Sequence, residues 1–165
     1  MSYYKEHIES IQDFPKEGIL YRDIQPLLAN PTVFMDAVKD MGRLIDKVPR
    51  YWVGIESRGF IFASALSMIY GGGVKLIRKS GKLPNENLKR VNYTLEYGID
   101  TIEMKSGIGS IVLVDDIYAT GGTMKASEKL SKICGYDIID KLCLLDIGIV
   151  KDHDIKCLIN YETEE

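Results

Sequence analysis

Two periodicities alternate along this chain. Between residues 30 and 47, Phe34, Val38, Met41, Leu44 and Ile45 fall on one helical face, which predicts an amphipathic helix over Thr32–Lys47. Asn30 is suited to cap it, and Pro31 fits the first helical position, where no N–H is needed. Tyr51–Glu56 reads as a strand, and Ser57-Arg58-Gly59 turns it into an apolar helix over Phe60–Tyr70. Three glycines break that helix before a strand at Val74–Arg78. Lys79–Leu88, with charges, Gly81, Pro84 and two asparagines, reads as a mobile loop. Strands over Tyr93–Glu96 and Thr101–Met104 flank a bend at Tyr97-Gly98. Ile111 to Val114 is a continuous apolar run, as in a strand buried on both faces of a parallel sheet. A helix follows through Ile133, with Ala126, Leu130 and Ile133 on one face, and Ile138–Ile147 and Ile155–Tyr161 are the last strands. Ahead of all these, Ser2–Ile11 reads as a short polar helix, Phe14–Gly18 as a turn and Ile19–Ile24 as an extended piece.

Strands alternating with helices predict an α/β fold with a mainly parallel central sheet flanked by helices. With 165 residues and no repeat or linker, a single domain over 1–165 is expected. In such sheets ligands bind at the carboxyl ends of the strands, which would bring Glu56-Ser57-Arg58 beside Asp115–Thr123.

Composition narrows this little. A hydrophobic share of 45% argues against disorder, and a net charge of −3 gives no support to a general nucleic-acid binder. Arg78, Lys79, Lys82, Lys89 and Arg90 form a local basic cluster, which fits either a solvated loop or a site for a polyanionic small ligand. The three cysteines, Cys134, Cys143 and Cys157, include no closely spaced pair and read as free thiols of a reducing compartment. Met1–Asp13 is polar, and no apolar run reaches membrane-spanning length, so a cytoplasmic protein with no membrane partner is expected.

The chemistry concentrates at Ser110–Thr123. Thr120, Gly121, Gly122 and Thr123 put free backbone N–H groups and two hydroxyls at a helix start, where amides lack intrahelical partners and the dipole favours an anion. Asp115 and Asp116 stand beside them as acceptors for sugar hydroxyls or as ligands for a hard cation such as Mg²⁺. Spacing alone leaves two readings, a ribose-phosphate pocket or ordinary turn chemistry with a helix cap.

Residues Val114-Asp115-Asp116 through Ala119-Thr120-Gly121-Gly122-Thr123 resemble the phosphoribosyl-pyrophosphate (PRPP) signature of type I phosphoribosyltransferases. Four further segments resemble the adenine-specific members of that family, in order and in register over about residues 10 to 135. Phe14–Ile24 is similar to their base-binding segment, Gly54–Phe60 to their pyrophosphate loop, Arg78–Pro84 to their hood loop and Tyr93–Gly98 to their catalytic-carboxylate segment. Tyr118 stands where a small aliphatic residue is usual, Asn85 where glycine is common, and past Tyr136 the resemblance fades.

The resemblance implies the type I phosphoribosyltransferase fold, with hood elements at about 1–30 and 79–104 over the sheet, and transfer of the phosphoribosyl group of PRPP to adenine. AMP and pyrophosphate would be the products, Mg²⁺ the cofactor and a homodimer the assembly. It also implies roles. Ala119, Thr120, Gly121, Gly122 and Thr123 would hold the 5′-phosphate, and Asp115 and Asp116 the ribose hydroxyls, directly or through metal-bound water. Ser57 and Arg58 would grip pyrophosphate, with Arg78, Lys79 and Lys82 assisting. Tyr21 would stack on the base while the backbone of Leu20 and Arg22 reads its edge. Glu96 would handle the purine proton; on its own it reads as an exposed strand glutamate, just as Tyr21 reads as a half-buried aromatic. Ala119, an aspartate in hypoxanthine-guanine relatives, leaves the base proton to a residue elsewhere. Two alternatives stay open: transfer to another base such as xanthine, guanine or orotate, and a regulator that senses PRPP or a nucleotide without catalysis.

Overall fold

The computed structural model of the chain describes residues 3–95 and 98–161. The amino-terminal segment departs from the expected polar helix. A 3₁₀ turn spans Tyr3–His7, and Glu9–Gln12 (β1) then pairs antiparallel with Leu20–Asp23 (β2). The reason lies between them. Asp13 accepts a hydrogen bond from the Gly18 amide at 2.7 Å and the Phe14 amide donates to the Ile19 carbonyl, so the turn closes a hairpin. A helix over the same residues would have had no apolar stripe to bury beyond Tyr4 and Ile8.

Helices Gln25–Ala29 (α1) and Pro31–Arg43 (α2) follow. The short α1 escaped the periodicity reading, because only Leu27 is fully buried along it. Asn30 caps α2 as expected, its side-chain oxygen accepting from the Thr32 and Val33 amides at 3.2 Å each. The helix stops at Arg43 rather than Lys47. Leu44 and Ile45 prolong the apolar pattern because they pack on the core from a tightened turn outside the helix.

The remaining elements are Tyr51–Ile55 (β3), Gly59–Tyr70 (α3), Gly73–Lys79 (β4), Leu88–Leu95 (β5), Gly98–Lys105 (β6), Gly109–Tyr118 (β7), Gly122–Ile133 (α4), Tyr136–Asp146 (β8) and Lys156–Asn160 (β9). They build a seven-stranded sheet in the order β5-β6-β4-β3-β7-β8-β9. The five strands from β4 to β9 run parallel, while β6 joins β4, and β5 joins β6, antiparallel. Alternation along the parallel strands sorts the core. Trp52, Val112, Val114, Leu142 and Leu144 pack with α2 and α3 on one face. Val53, Ile55, Ile111, Leu113 and Cys143 pack with α4 on the other.

This order positions the site. The chain passes from β3 through α3 to β4 on one side, and from β7 through α4 to β8 on the other, so direction reverses between the neighbours β3 and β7. The crevice beyond their carboxyl ends is where doubly wound sheets bind ligands. Gly59 lets α3 begin directly against β7, since a Cβ there would lie 2.5 Å from the Val114 carbonyl oxygen.

The segment at 80–87 is a loop, as expected, yet it is tied down. Glu103, fully buried on β6, accepts from the Lys82 and Leu83 amides at 2.8 and 2.7 Å and pairs with Arg90 at 3.0 Å. Burial pushes its carboxyl upward, but the loop amides and Arg90 outweigh that and hold it below the ordinary range.

Candidate active site

Beyond the β3 and β7 ends lies a cleft of about 640 Å³. Leu20, Tyr21 and Arg22 of β2 line it, with Ser57 and Arg58 after β3, Lys79 at the end of β4, Asp115 and Asp116 of β7, and Thr123 of α4. A smaller hollow of about 80 Å³ shares Asp115, Ile117 and Thr123 with it and is bounded by Tyr118 to Met124. Residues from both ends of the sequence, and from its middle, therefore meet at one place.

The hollow is built from the start of α4. Gly121 takes φ +81°, a left-handed conformation open to glycine, and turns the chain into the helix. No side chain among the described residues caps α4, so its first amides stay available to an anion.

Asp115 and Asp116 stand between hollow and cleft. Asp116 is buried, and its Oδ2 lies 2.6 Å from Arg58 Nε. The Nε–H is not directed at that oxygen, which keeps no hydrogen-bond partner among the described residues. Burial, together with the charge of its neighbour, pushes Asp115 well above the ordinary carboxylate range. Asp116 is also pushed up by burial, with Arg58 pulling against it. The pair is thus short of donors and positive charge. Hard cations and sugar hydroxyls supply what it lacks, so these residues fit Mg²⁺. Among the described residues no group of three or more ligating side chains gathers, so an ion there would draw most of its ligands from a bound substrate.

Arg58 is the hinge of the site. Its guanidinium donates to the Tyr21 hydroxyl at 2.8 Å while pairing with Asp116. Tyr21 packs edge-on against Phe14 at 5.1 Å. The Arg22 guanidinium is engaged elsewhere, on the Ser10 hydroxyl and over the Tyr161 ring.

Two expected cations are placed differently. Arg78 pairs with Glu56 at 3.3 Å and lies over the Phe60 ring, outside the cleft lining. Lys82 sits in the loop held by Glu103 and does not line the cleft either. Glu96 lies outside the described residues.

Six lining residues carry no role in the sequence reading, Ile19, Glu56, Tyr93, Asp100, Ile117 and Ile147, although Glu56 and Ile117 fall in segments expected at the crevice. Tyr93 and Asp100 are register partners across β5 and β6, with the Tyr93 hydroxyl 3.4 Å from Asp100 Oδ2. Lys79 Nζ reaches the same carboxylate at 3.2 Å. Burial pushes Asp100 up, but the Thr101 amide and Lys79 win and hold it low. A hairpin register carries the signal for that pair, and only Tyr97-Gly98 hinted at it. Glu56 accepts from the Lys79 amide at 2.7 Å; despite burial, that bond and Arg78 hold its carboxyl low.

Residues 27–165 match the family model described as the phosphoribosyl transferase domain. The chain belongs to the phosphoribosyltransferase family. The adenine phosphoribosyltransferase of Hydrogenovibrio crunogenus is 44% identical over 147 residues, which are 86% of this chain and 84% of that protein. Among solved phosphoribosyltransferase structures, that of the adenine phosphoribosyltransferase of Thermoanaerobacter pseudethanolicus is similar with a TM-score of 0.86 at 33% identity, covering 96% of this chain and 98% of that one. The adenine phosphoribosyltransferase of Saccharomyces cerevisiae, solved with D-2,5-dideoxy-2,5-imino-altritol 1,6-bisphosphate and adenine, gives 0.82 at 30% identity, covering 96% and 95%. The α/β fold and the phosphoribosyltransferase resemblance thus stand together.

Proposed function

We propose that this phosphoribosyltransferase salvages a purine: it transfers the 5-phosphoribosyl group of PRPP to adenine, giving AMP and pyrophosphate. The observation that carries the reading is the meeting, at the β3–β7 crevice, of an uncapped glycine-opened helix start, a donor-starved acid pair and Arg58. The relatives' names supply the base.

The amides of Ala119 to Thr123, with the Thr120 and Thr123 hydroxyls, hold the 5′-phosphate. Asp115 and Asp116 accept the ribose 2′- and 3′-hydroxyls, directly or through water on a metal. Ser57 and Arg58 hold pyrophosphate, and Lys79 adds charge from β4; Arg78 and Lys82 contribute field rather than contact. Tyr21 offers its ring to the base, and the edge of β2 away from β1 offers N–H and C=O groups to the rim of the purine. Bond breaking at the anomeric carbon leaves positive charge on ribose and negative charge on pyrophosphate. Arg58, held on Tyr21 and Asp116, is in place before that charge develops, which is where electrostatic catalysis is largest. Bound Mg²⁺ would neutralise part of the same leaving-group charge. The hood, from 1–30 and 79–104, covers the cleft and keeps water from the anomeric carbon. Glu96 takes the purine proton.

Assembly as a homodimer is supported by an apolar surface. Val74 and Leu76, partners of Trp52 and Gly54, lie on the α3 side of the sheet and remain over one-third exposed. Ile61, Met68 and Ile69 of α3 are exposed as well, and a second copy would cover such a face. Light scattering during size exclusion tests this; a monomer at micromolar concentration overturns it. No helix of the described residues is long and apolar enough to cross a membrane, and a cytoplasmic place fits the free cysteines.

A panel of purines and orotate, assayed with PRPP and Mg²⁺, decides the activity. Adenine should be turned over and 6-oxopurines should not. Good turnover of a 6-oxopurine without adenine overturns the base, and no turnover of any base overturns the enzyme in favour of a PRPP-sensing protein.

A further inference from the structure

The floor of the small hollow is a tyrosine held from behind. Tyr118 ends β7 immediately before the Ala119–Thr123 turn, and its side chain is buried under that turn. A Cβ placed on Gly121 would come within 2.7 Å of the Tyr118 hydroxyl and 3.2 Å of its ring carbons, so the ring lies directly against the turn glycine. Gly121, in a left-handed conformation, has little intrinsic restraint, and the ring limits where it goes.

Tyr118 is gripped in turn by the connection between β8 and β9. Its carbonyl accepts from the Ile147 amide at 3.1 Å, and its ring packs on the His153 ring at 4.5 Å. His153 has both nitrogens engaged. Nδ1 accepts from the Ile155 amide at 3.3 Å, which leaves Nε2–H as donor to Asp146 Oδ2 at 3.0 Å. The other Asp146 oxygen accepts from the Gly148 amide at 2.8 Å. Asp146, His153 and Tyr118 therefore form a continuous chain of contacts ending on the turn.

We propose that Tyr118, held by His153 and Asp146, is the positioning residue that sets the anion-binding turn and with it the affinity for the phosphate end of the substrate. Amides grip a phosphate only if they already point at it. A prop that removes the freedom of Gly121 lowers the cost of binding without touching the ligand. The inference rests on reading Ala119–Thr123 as the 5′-phosphate site, but it names a determinant outside that turn. Its mark is selective: affinity for the phosphate ligand falls while the base side is untouched.

The test compares Tyr118→Leu, Tyr118→Phe, His153→Ala and the double variant Tyr118→Leu/His153→Ala. The KM values for PRPP and adenine are measured, together with calorimetric binding of ribose 5-phosphate. Tyr118→Leu and His153→Ala should each raise the KM for PRPP on the order of 10-fold or more, weakening ribose 5-phosphate equally, with the KM for adenine within about twofold. The double variant should be no worse than the weaker single, and Tyr118→Phe, which keeps the ring, should restore the wild-type value. An unchanged KM for PRPP, an equal loss toward adenine, or fully additive losses overturns the proposal. Should Tyr118→Leu fail to fold, His153→Ala and Tyr118→Phe decide on the same measures. Should adenine not be turned over by the unaltered protein, that reading of the base falls, and ribose 5-phosphate binding alone still decides the prop.

Discussion

The acid pair Asp115–Asp116 and the buried Glu103 are the same chemistry in opposite circumstances. Both are carboxylates removed from water, and in both burial pushes the proton affinity up. Around Glu103 the fold supplies amides and a guanidinium, and the carboxyl ends below its ordinary range. Around Asp115 and Asp116 it supplies Arg58 and little else, and the pair ends above. A structural carboxylate brings its donors with it. On the proposed function, the acid pair leaves its donors to be delivered by the ligand, and the free protein bears the cost.

The largest expected effect separates the two sites by activity. Replacing Asp115 and Asp116 together by Asn should lower kcat/KM for PRPP by about 10²–10³-fold, while the unliganded protein becomes more stable at neutral pH. The sign follows from the raised proton affinity. Between the ordinary Asp range and the higher folded value the native state holds more protons than the unfolded chain, so stability falls as pH rises through that window. Urea melts across pH should show this fall in the wild type and its flattening in the variant; a less stable variant would place the cost elsewhere.

Next comes ligand. PRPP with Mg²⁺ at a hundredfold excess over Kd should stabilise the wild type by about 2.7 kcal/mol, and the double Asn variant far less at the same concentrations. Thermal melts read the difference directly, and equal shifts would remove the acid pair from the binding site.

A loss at Glu103 should read as stability. Glu103→Gln keeps an oxygen for the Lys82 and Leu83 amides but turns an NH2 group toward Arg90, and should cost about 2 kcal/mol at pH 7. Because its folded carboxyl lies low, Glu103 stabilises above the ordinary Glu range, and this is lost as pH falls toward the depressed folded value. The gap between Glu103→Gln and wild type in urea should therefore close at low pH, and a gap independent of pH would mean that shape rather than charge holds the loop. Smallest is Asn30→Ala, another acceptor whose donors are local, which should cost about 1 kcal/mol with PRPP affinity unchanged. A change in PRPP affinity would show that α2 reaches the site.

Legibility followed the range of the interactions. The Asn30-Pro31 start, the α3 span and the strand-to-helix turn at Ser110–Thr123 are written in neighbouring residues, and the structure reproduces them. The β1–β2 hairpin was not readable, because strand Glu9–Gln12 has no buried face and exists only through its partner. In the sequence Arg78, Lys79 and Lys82 belong to one basic cluster with nothing to tell them apart. Glu56 captured Arg78 and the Glu103 loop positioned Lys82, so that of the three only Lys79 faces the cleft.

By itself, then, the sequence determined the alternation of strand and helix, the place of the glycine turn and the presence of paired acids beside it. Those depend on backbone propensity, capping and spacing, which act within a few residues. Tertiary structure alone decided which carboxylates are satisfied and which are left wanting. That depends on donors brought from distant strands: Arg58 to Asp116 from across the crevice, and loop amides to Glu103 from about twenty residues away. Solvation and charge pairing are settled by what arrives in space, and no local pattern encodes it.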